Sequence, residues 1–306
     1  MGCVWMMMNG PKLLFIDCGG GAIKKNGYKE SLSSRLKYLG KRLRELFQGI
    51  PMCEILITHN HEDHNNLHQM VEEVASGCGC RVSFPIAPMH GRKFKESSRD
   101  KLLLLDLLRE DRKFFLKELP IIENSLGPRV RIVPMRPEVW QNNGAADLEH
   151  DFNMMYLVEF AGRKILFSGD VSPQLLARVR ADYRRREIDA VDFLVLPHHG
   201  SNQVGELITQ CGTKPEMCII CSNPGEKHNL PQSGLKGLSL KSGYGIFTEK
   251  HVVSTFEKKE EIQLPIFVTC DAAQGYYELV IDMDGTATLF DGPTAKQQNL
   301  FSFQSL

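Results

Sequence analysis

Short apolar runs, each closed by glycine or by polar residues, punctuate the chain from end to end. Lys12–Asp17 (KLLFID) runs into Cys18-Gly19-Gly20-Gly21, and Glu54–Thr58 (EILIT) runs into His59. Unbroken runs of this length read as strands buried on both faces. Further strands are predicted at Arg81–Ile86, Arg129–Val133, Val191–Leu196, Glu216–Cys221 and Ile266–Thr269. Two hairpins join them: Met154–Phe160 with Lys164–Phe167, and Tyr276–Ile281 with Thr286–Phe290 around an Asp284-Gly285 turn. Helical spacing takes over between the strands. Leu36, Leu39, Leu43 and Phe47 recur along Leu32–Phe47 with Lys and Arg between them, an amphipathic helix. Leu67–Ala75, Arg99–Leu119 (stopped by Pro120) and Ser172–Tyr183 follow the same period. Ser233–Gln263 has no period that assigns it. Interleaved strands and helices, with no repeat or linker, predict a single layered α/β domain over 1–306 with mixed sheets.

Charge narrows the partners. Lys plus Arg is 37 and Asp plus Glu is 37 among 306 residues, so no global field attracts a polyanion, and any phosphate-binding surface must be local. Arg92-Lys93-Lys95 and the arginines of Arg178–Arg186 are such local groups, although basic runs are commonly solvated faces. At 42% hydrophobic and 24% charged the composition excludes a disordered or fibrous chain. No apolar run approaches the roughly 18 to 20 residues of a membrane span, and Met1–Asn9 lacks the charged leader of a secretory signal. Nine cysteines without framework spacing fit reduced thiols in the cytoplasm.

The chemistry is concentrated at three predicted strand exits. Thr58–His64 (THNHEDH) crowds three imidazoles and two carboxylates together, a donor mix suited to Zn²⁺, Mn²⁺ or Fe. His59 and His61 alternate on extended chain and can point the same way, whereas Asp63 and His64 on the next turn point to a neighbouring position. That spacing can serve two adjacent ions. A polar helix N-terminus would explain the carboxylates but not the histidines. Asp170 ends the second strand of the first hairpin, a position where a turn residue is the ordinary alternative. Pro197-His198-His199-Gly200-Ser201 ends the third, and strand phase leaves either His198 or His199 able to face the site.

THNHEDH resembles the HxHxDH signature of the metallo-β-lactamase superfamily, and the other clusters follow in that family's order. The resemblance implies a four-layer αβ/βα sandwich of two mixed sheets flanked by helices. Asp17 in FIDCGGG is similar to the family's first motif, which orients metal ligands from behind. Asp170 in FSGD is similar to the acidic residue that bridges two metals. PHHGS resembles the final motif in the form found in the hydrolase domains of bacterial DNA-uptake competence proteins and in phosphorylcholine esterases. For the family's third motif His150 stands as a ligand, a supporting donor or a solvated loop residue; Asn153-Met-Met-Tyr-Leu-Val resembles the asparagine-led strand of the competence-type domains. His228 in PGEKHNLP matches a further histidine of those domains. An opening strand is also implied before Lys12, where only Met1–Gly10 stands.

The resemblance implies two divalent ions, Zn²⁺ ahead of Mn²⁺. His59, His61 and one of His198 and His199 would hold one ion, Asp63 and His64 the other, and Asp170 would bridge them, with His150 as a further donor. Asp63 would also orient the nucleophile, and His228 would contact substrate or donate a proton. The leading expectation is a phosphodiesterase or nuclease acting on DNA or RNA, because of the PHHGS form of the last motif; Asp170, standing where many lactamases carry cysteine, speaks against the lactamase reaction itself. Two alternatives stay open: hydrolysis of a small ester, cyclic nucleotide or lactone, and a metal-binding but catalytically silent partner-recognition protein.

Overall fold

Val4–Asn9 (β1) and Lys12–Cys18 (β2) pair antiparallel, and Met52–Leu56 (β3) and Arg81–Ser83 (β4) continue the sheet in parallel. Along β2, Leu13 and Phe15 enter one core cluster while Leu14 and Ile16 enter another, and all four are buried. Burial on both faces is the reason the segment reads as a continuous apolar run. Ile122–Glu123 (β5), Val130–Met135 (β6), Met155–Phe160 (β7) and Arg163–Phe167 (β8) form an antiparallel meander, which Phe193–Val195 (β9) and Met217–Ile220 (β10) extend in parallel. His251–Ser254 (β11) and Lys259–Ile262 (β12) make a separate antiparallel ribbon. Ile266–Val268 (β13) returns beside β10, and Tyr277–Ile281 (β14), Ala287–Asp291 (β15) and Phe301–Ser305 (β16) rejoin the first sheet.

In the computed structural model the described residues are 4–9, 11–19, 40–41, 43–45, 47–59, 61, 64, 67–83, 122–123, 130–135, 153–171, 191–201, 215–222, 251–254, 258–262, 266–271, 277–291 and 301–305. Among them the strands form two mixed seven-stranded sheets, ordered β15-β14-β16-β1-β2-β3-β4 and β13-β10-β9-β8-β7-β6-β5. Trp5, Met7, Leu14, Ile16 and Leu56 of the first sheet share one core with Tyr156, Val158, Ile165, Phe167, Phe193 and Val195 of the second. The sheets therefore pack face to face. On the other side of the first sheet, Met6, Leu13, Phe15, Cys53 and Ile55 pack against Leu43 and Phe47 and against Val71 and Ala75 of the helix His68–Gly77.

This is α/β architecture with mixed sheets, as the pattern predicts, but among the described residues helices are sparse. Helix, sheet and sheet make three described layers. Leu157, Leu166, Leu194 and Cys218 on the outer side of the second sheet are also buried; the helices expected at Arg99–Leu119 and Ser172–Tyr183 lie outside the described residues, so the fourth layer is not among what is seen. Val4–Asn9 supplies the opening strand that the sequence left in question. Part of the unassigned 233–263 segment is the β11–β12 ribbon. The strand expected over Glu54–Thr58 ends at Leu56 instead. Its backbone leaves the ladder because the Thr58 N–H donates to Asp17 Oδ1 and the Thr58 carbonyl accepts from the Met154 N–H, at 2.7 Å each.

Candidate metal centre

Every described candidate ligand follows a strand that runs parallel to a neighbour, β3 in the first sheet and β8 or β9 in the second, and Asp17 lies at the end of β2, which also runs parallel to β3. The carboxyl ends of such strands are where open α/β sheets bind ligands. Asp17 comes first. In the β1–β2 ladder Trp5 lies opposite Ile16 and Val4 opposite Cys18, so Asp17 is the extra residue of a bulge, with φ at 60°. A bulge re-aims a side chain that regular pleating would send elsewhere. Here it turns a buried carboxylate toward the end of β3: Oδ1 accepts from the Thr58 N–H at 2.7 Å and Oδ2 meets His64 Nδ1 at 2.8 Å.

These bonds fix ring tautomers by elimination. A carboxylate only accepts, so His64 Nδ1 carries its proton and Nε2 presents a lone pair. The Thr58 hydroxyl, 2.8 Å from Asp17 Oδ2, donates to that carboxylate and so accepts from His59 Nδ1 at 3.1 Å, leaving His59 Nε2 as a lone pair as well. His199 Nδ1 lies 2.8 Å from the Cys221 carbonyl, which likewise can only accept. His199 Nε2 then faces His64 Nε2 at 3.2 Å. Two lone pairs at that separation repel unless positive charge sits between them. In the protein without metal a proton answers this need: burial opposes charge on His64, but the carboxylates of Asp170 and Asp17 outweigh it and raise its pKa well above the ordinary imidazole value. A divalent cation answers it equally well.

Among the described residues two groups could hold such an ion: His59, His61 and Asp170, and His64, Asp170 and His199, with the donor atoms of each within 4.8 Å of one another. Asp170 belongs to both. Its Oδ2 lies 3.7 Å from His59 Nε2, and its Oδ1 lies 3.1 Å from His64 Nε2 and 3.8 Å from His199 Nε2. His61 brings Nδ1 to 2.9 Å from His59 Nε2 and is half-buried, whereas the other four members are buried. Imidazole with carboxylate is the donor chemistry of Zn²⁺ and also suits Mn²⁺.

One grouping departs from expectation. The sequence reading set one of the paired histidines beside His59 and His61; instead His199 joins His64. His198, His199 and Gly200 take φ of 50°, 53° and 80° in succession. This left-handed turn carries His199 under the exit of β10, where Cys221 holds it, and His198 is in neither group. Asp63, His150 and His228 lie outside the described residues, as do the basic groups at 92–95 and 178–186. Two supporting residues carry more than the sequence suggested. Thr58 links Asp17 to His59, and the Asn153 side chain accepts from the Asp170 N–H at 2.9 Å and donates to the Ser168 carbonyl at 2.8 Å. Thr58 was readable as the first residue of THNHEDH; the resemblance marked Asn153 as the head of its strand, but nothing local assigns its amide to a turn fifteen residues downstream.

No family model matches the chain, and no curated protein matches it either. Among the described residues no helix is long and apolar enough to cross a membrane.

Proposed function

We propose that this chain is a metal-dependent hydrolase of the metallo-β-lactamase superfamily, with that family's four-layer fold, holding two divalent ions and cleaving phosphodiesters in the cytoplasm. The observation that carries the proposal is Asp170, whose two carboxylate oxygens address two different histidine groups. His59 and His61 would hold one ion with Asp170, and His64 and His199 the other, Zn²⁺ ahead of Mn²⁺. Such ions, when bound, supply Lewis-acid polarisation of a phosphoryl oxygen and a water acidic enough to attack near neutral pH.

The chain's own residues prepare that chemistry. Asp17 holds His64 directly and His59 through Thr58, so both rings offer Nε2, and the Cys221 carbonyl does the same for His199. Burial of His64, Asp170 and His199 keeps bulk water from that side, while the half-buried His61 marks the side by which a phosphate would enter. A carboxylate at 170 supports an ester substrate over a lactam by the resemblance already described. The same resemblance gives Asp63 to the His64 group and to the alignment of the nucleophile, leaves His150 as a ligand, a supporting donor or a solvated loop residue, and gives His228 to substrate contact or proton donation. Thiols at Cys18, Cys53, Cys78, Cys80, Cys218 and Cys221 support a reducing compartment.

The test is hydrolysis of bis(p-nitrophenyl) phosphate by metal-free protein supplemented with Zn²⁺ or Mn²⁺, beside Asp170→Asn. Turnover should require metal and fall by about 100-fold or more in the variant, since loss of supporting residues alone costs about 10- to 100-fold. Folded, metal-loaded protein without turnover would overturn the phosphodiesterase reading and direct assays to lactones and other small esters. DNA and RNA strands are the substrates to try after a positive result.

A further inference from the structure

We infer that Asn153 is a positioning residue that registers the Asp170 carboxylate against the histidines, and thereby decides whether two ions can be held together. The inference rests on the two-ion reading of the site. Histidines 59, 61 and 64 follow β3 of the first sheet, whereas Asp170 follows β8 of the second, so something must fix one set against the other. Asn153 and its neighbour do so directly. The Met154 N–H donates to the Thr58 carbonyl at 2.7 Å, tying the segment to the histidine-bearing exit of β3. Two residues further on, the buried Tyr156 hydroxyl donates to the Ile57 carbonyl at 2.9 Å, a second tie to the same exit.

The Asn153 amide then grips the turn that carries Asp170 from both ends: Oδ1 accepts from the Asp170 N–H and Nδ2–H donates to the Ser168 carbonyl. Both faces of the amide are engaged with backbone, which gives it the role of a brace and not of a metal ligand. Gly169, between the two gripped residues, has φ of 57°, and a Cβ there would run into Asn153 Oδ1 and come within 2.8 Å of the Thr58 Cβ. The turn is thus closed onto Asn153 and Thr58 with no room for a side chain. Asp170 is the one residue common to both groups. A small rotation of its carboxylate would leave it with one group and strip the other.

The experiment titrates Co²⁺ into metal-free wild type, Asn153→Ala and Asn153→Asp, following visible absorption and bound metal, with thermal melting to check folding. Wild type should take two equivalents. Asn153→Ala should bind one near wild-type affinity and the second about 10- to 100-fold more weakly, the usual effect of losing a supporting residue. If Asn153→Ala does not fold, the isosteric Asn153→Asp, which still accepts from the Asp170 N–H, should give the same defect in smaller degree. A folded variant that binds both equivalents as tightly as wild type overturns the inference, even if its melting temperature drops. Wild type that binds no Co²⁺ would instead refute the metal reading. In that case the ring ¹H–¹⁵N signals of metal-free protein decide: those of His59 and His64 should move in Asn153→Ala while His68 stays, and their constancy would refute the role of Asn153.

Discussion

The second sheet ends in charge at both poles, and the two poles are built on different terms. At the start of β8, Arg163 meets Glu216 Oε1 at 3.0 Å and Asp192 Oδ1 at 3.3 Å, donates from Nε to the Gly285 carbonyl at 2.7 Å, and lies 5.9 Å from the Phe193 ring centroid. The Lys164 N–H donates to the other Asp192 oxygen at 2.8 Å. Donors meet acceptors throughout, and the cluster joins the starts of β8, β9 and β10 to the β14–β15 hairpin of the opposite sheet. At the far pole, the exit of β9 meets that of β3 from the opposite sheet and brings together ring nitrogens of His199 and His64 whose lone pairs face one another. There the backbone takes left-handed φ at Asp17, His198 and His199, whereas the first pole has Ala161 in the β7–β8 turn as its one non-glycine counterpart among the described residues. Strain of this kind persists only where the surroundings over-determine it. One pole is complete as folded; the other is complete only with added positive charge.

The sharpest way to break this comparison is Asp17→Asn. Asn has the same shape, but one of its two terminal atoms is now a donor. With its oxygen toward His64, the amide nitrogen confronts the Thr58 N–H; with its nitrogen toward His64, the ring is driven to the tautomer protonated on Nε2 and loses its metal-facing lone pair. Either orientation should weaken metal binding by about 10- to 100-fold, read by Co²⁺ titration. Unchanged affinity would mean that Asp17 serves the fold alone, as Asp192 does at the other pole.

Arg163→Met is the counterpart, and its effect should fall on stability. It leaves Glu216 and Asp192 without their cation. Removing one partner of a fully buried pair costs about 3–5 kcal/mol. Side-chain exposures of 19% for Arg163 and 14% for Asp192 let water recover part of that, so a loss of about 2 kcal/mol is expected from denaturant unfolding. Metal stoichiometry measured well below the melting temperature should not change. A variant that kept its stability but lost metal would erase the distinction between the poles.

Both poles were unequally legible in the chain. The apolar run of β2, the apolar ends of β3 and β8, and β9 announce themselves because they are buried on both faces with no polar position to interrupt them, and THNHEDH, Asp170 and PHHGS were readable as strand exits for that reason. The hydrophobic pattern alone did not mark β1, although the resemblance implied a strand before Lys12: past Val4 and Trp5 the segment is carried by methionines, which have little β preference and show no period. β16 was not read either, since its partners β1 and β14 include a strand at the opposite end of the chain, a pairing no local pattern encodes. The sequence leaves His198 and His199 open for a backbone reason. Strand periodicity assumes extended chain, and three successive left-handed residues abolish it. The Arg163 cluster went unread because Asp192 and Glu216 look like ordinary polar flanks of short strands until the parallel register stacks them together.

pH separates the poles as well, and with opposite signs for the stability of metal-free protein and for its affinity for metal. The His64 pKa is raised in the metal-free fold, so the native state keeps a proton that the unfolded chain releases near pH 6.5. The stability this provides is fully present below about pH 6.5 and is lost as pH rises through the folded-state value. Metal binding must expel the same proton, so affinity should climb with pH over that window, by about tenfold per pH unit for one proton released. Arg163 contributes nothing to either slope: burial opposes its charge, but Glu216 and Asp192 raise its pKa further above a value that was already out of range. Urea unfolding of metal-free protein should therefore show stability falling from pH 6 to pH 9, and the same series in Arg163→Met should run parallel to it, displaced downward. A slope that disappears in Arg163→Met would locate the titrating charge at the wrong pole, whereas one that disappears in Asp17→Asn would tie it to the ring that Asp17 holds.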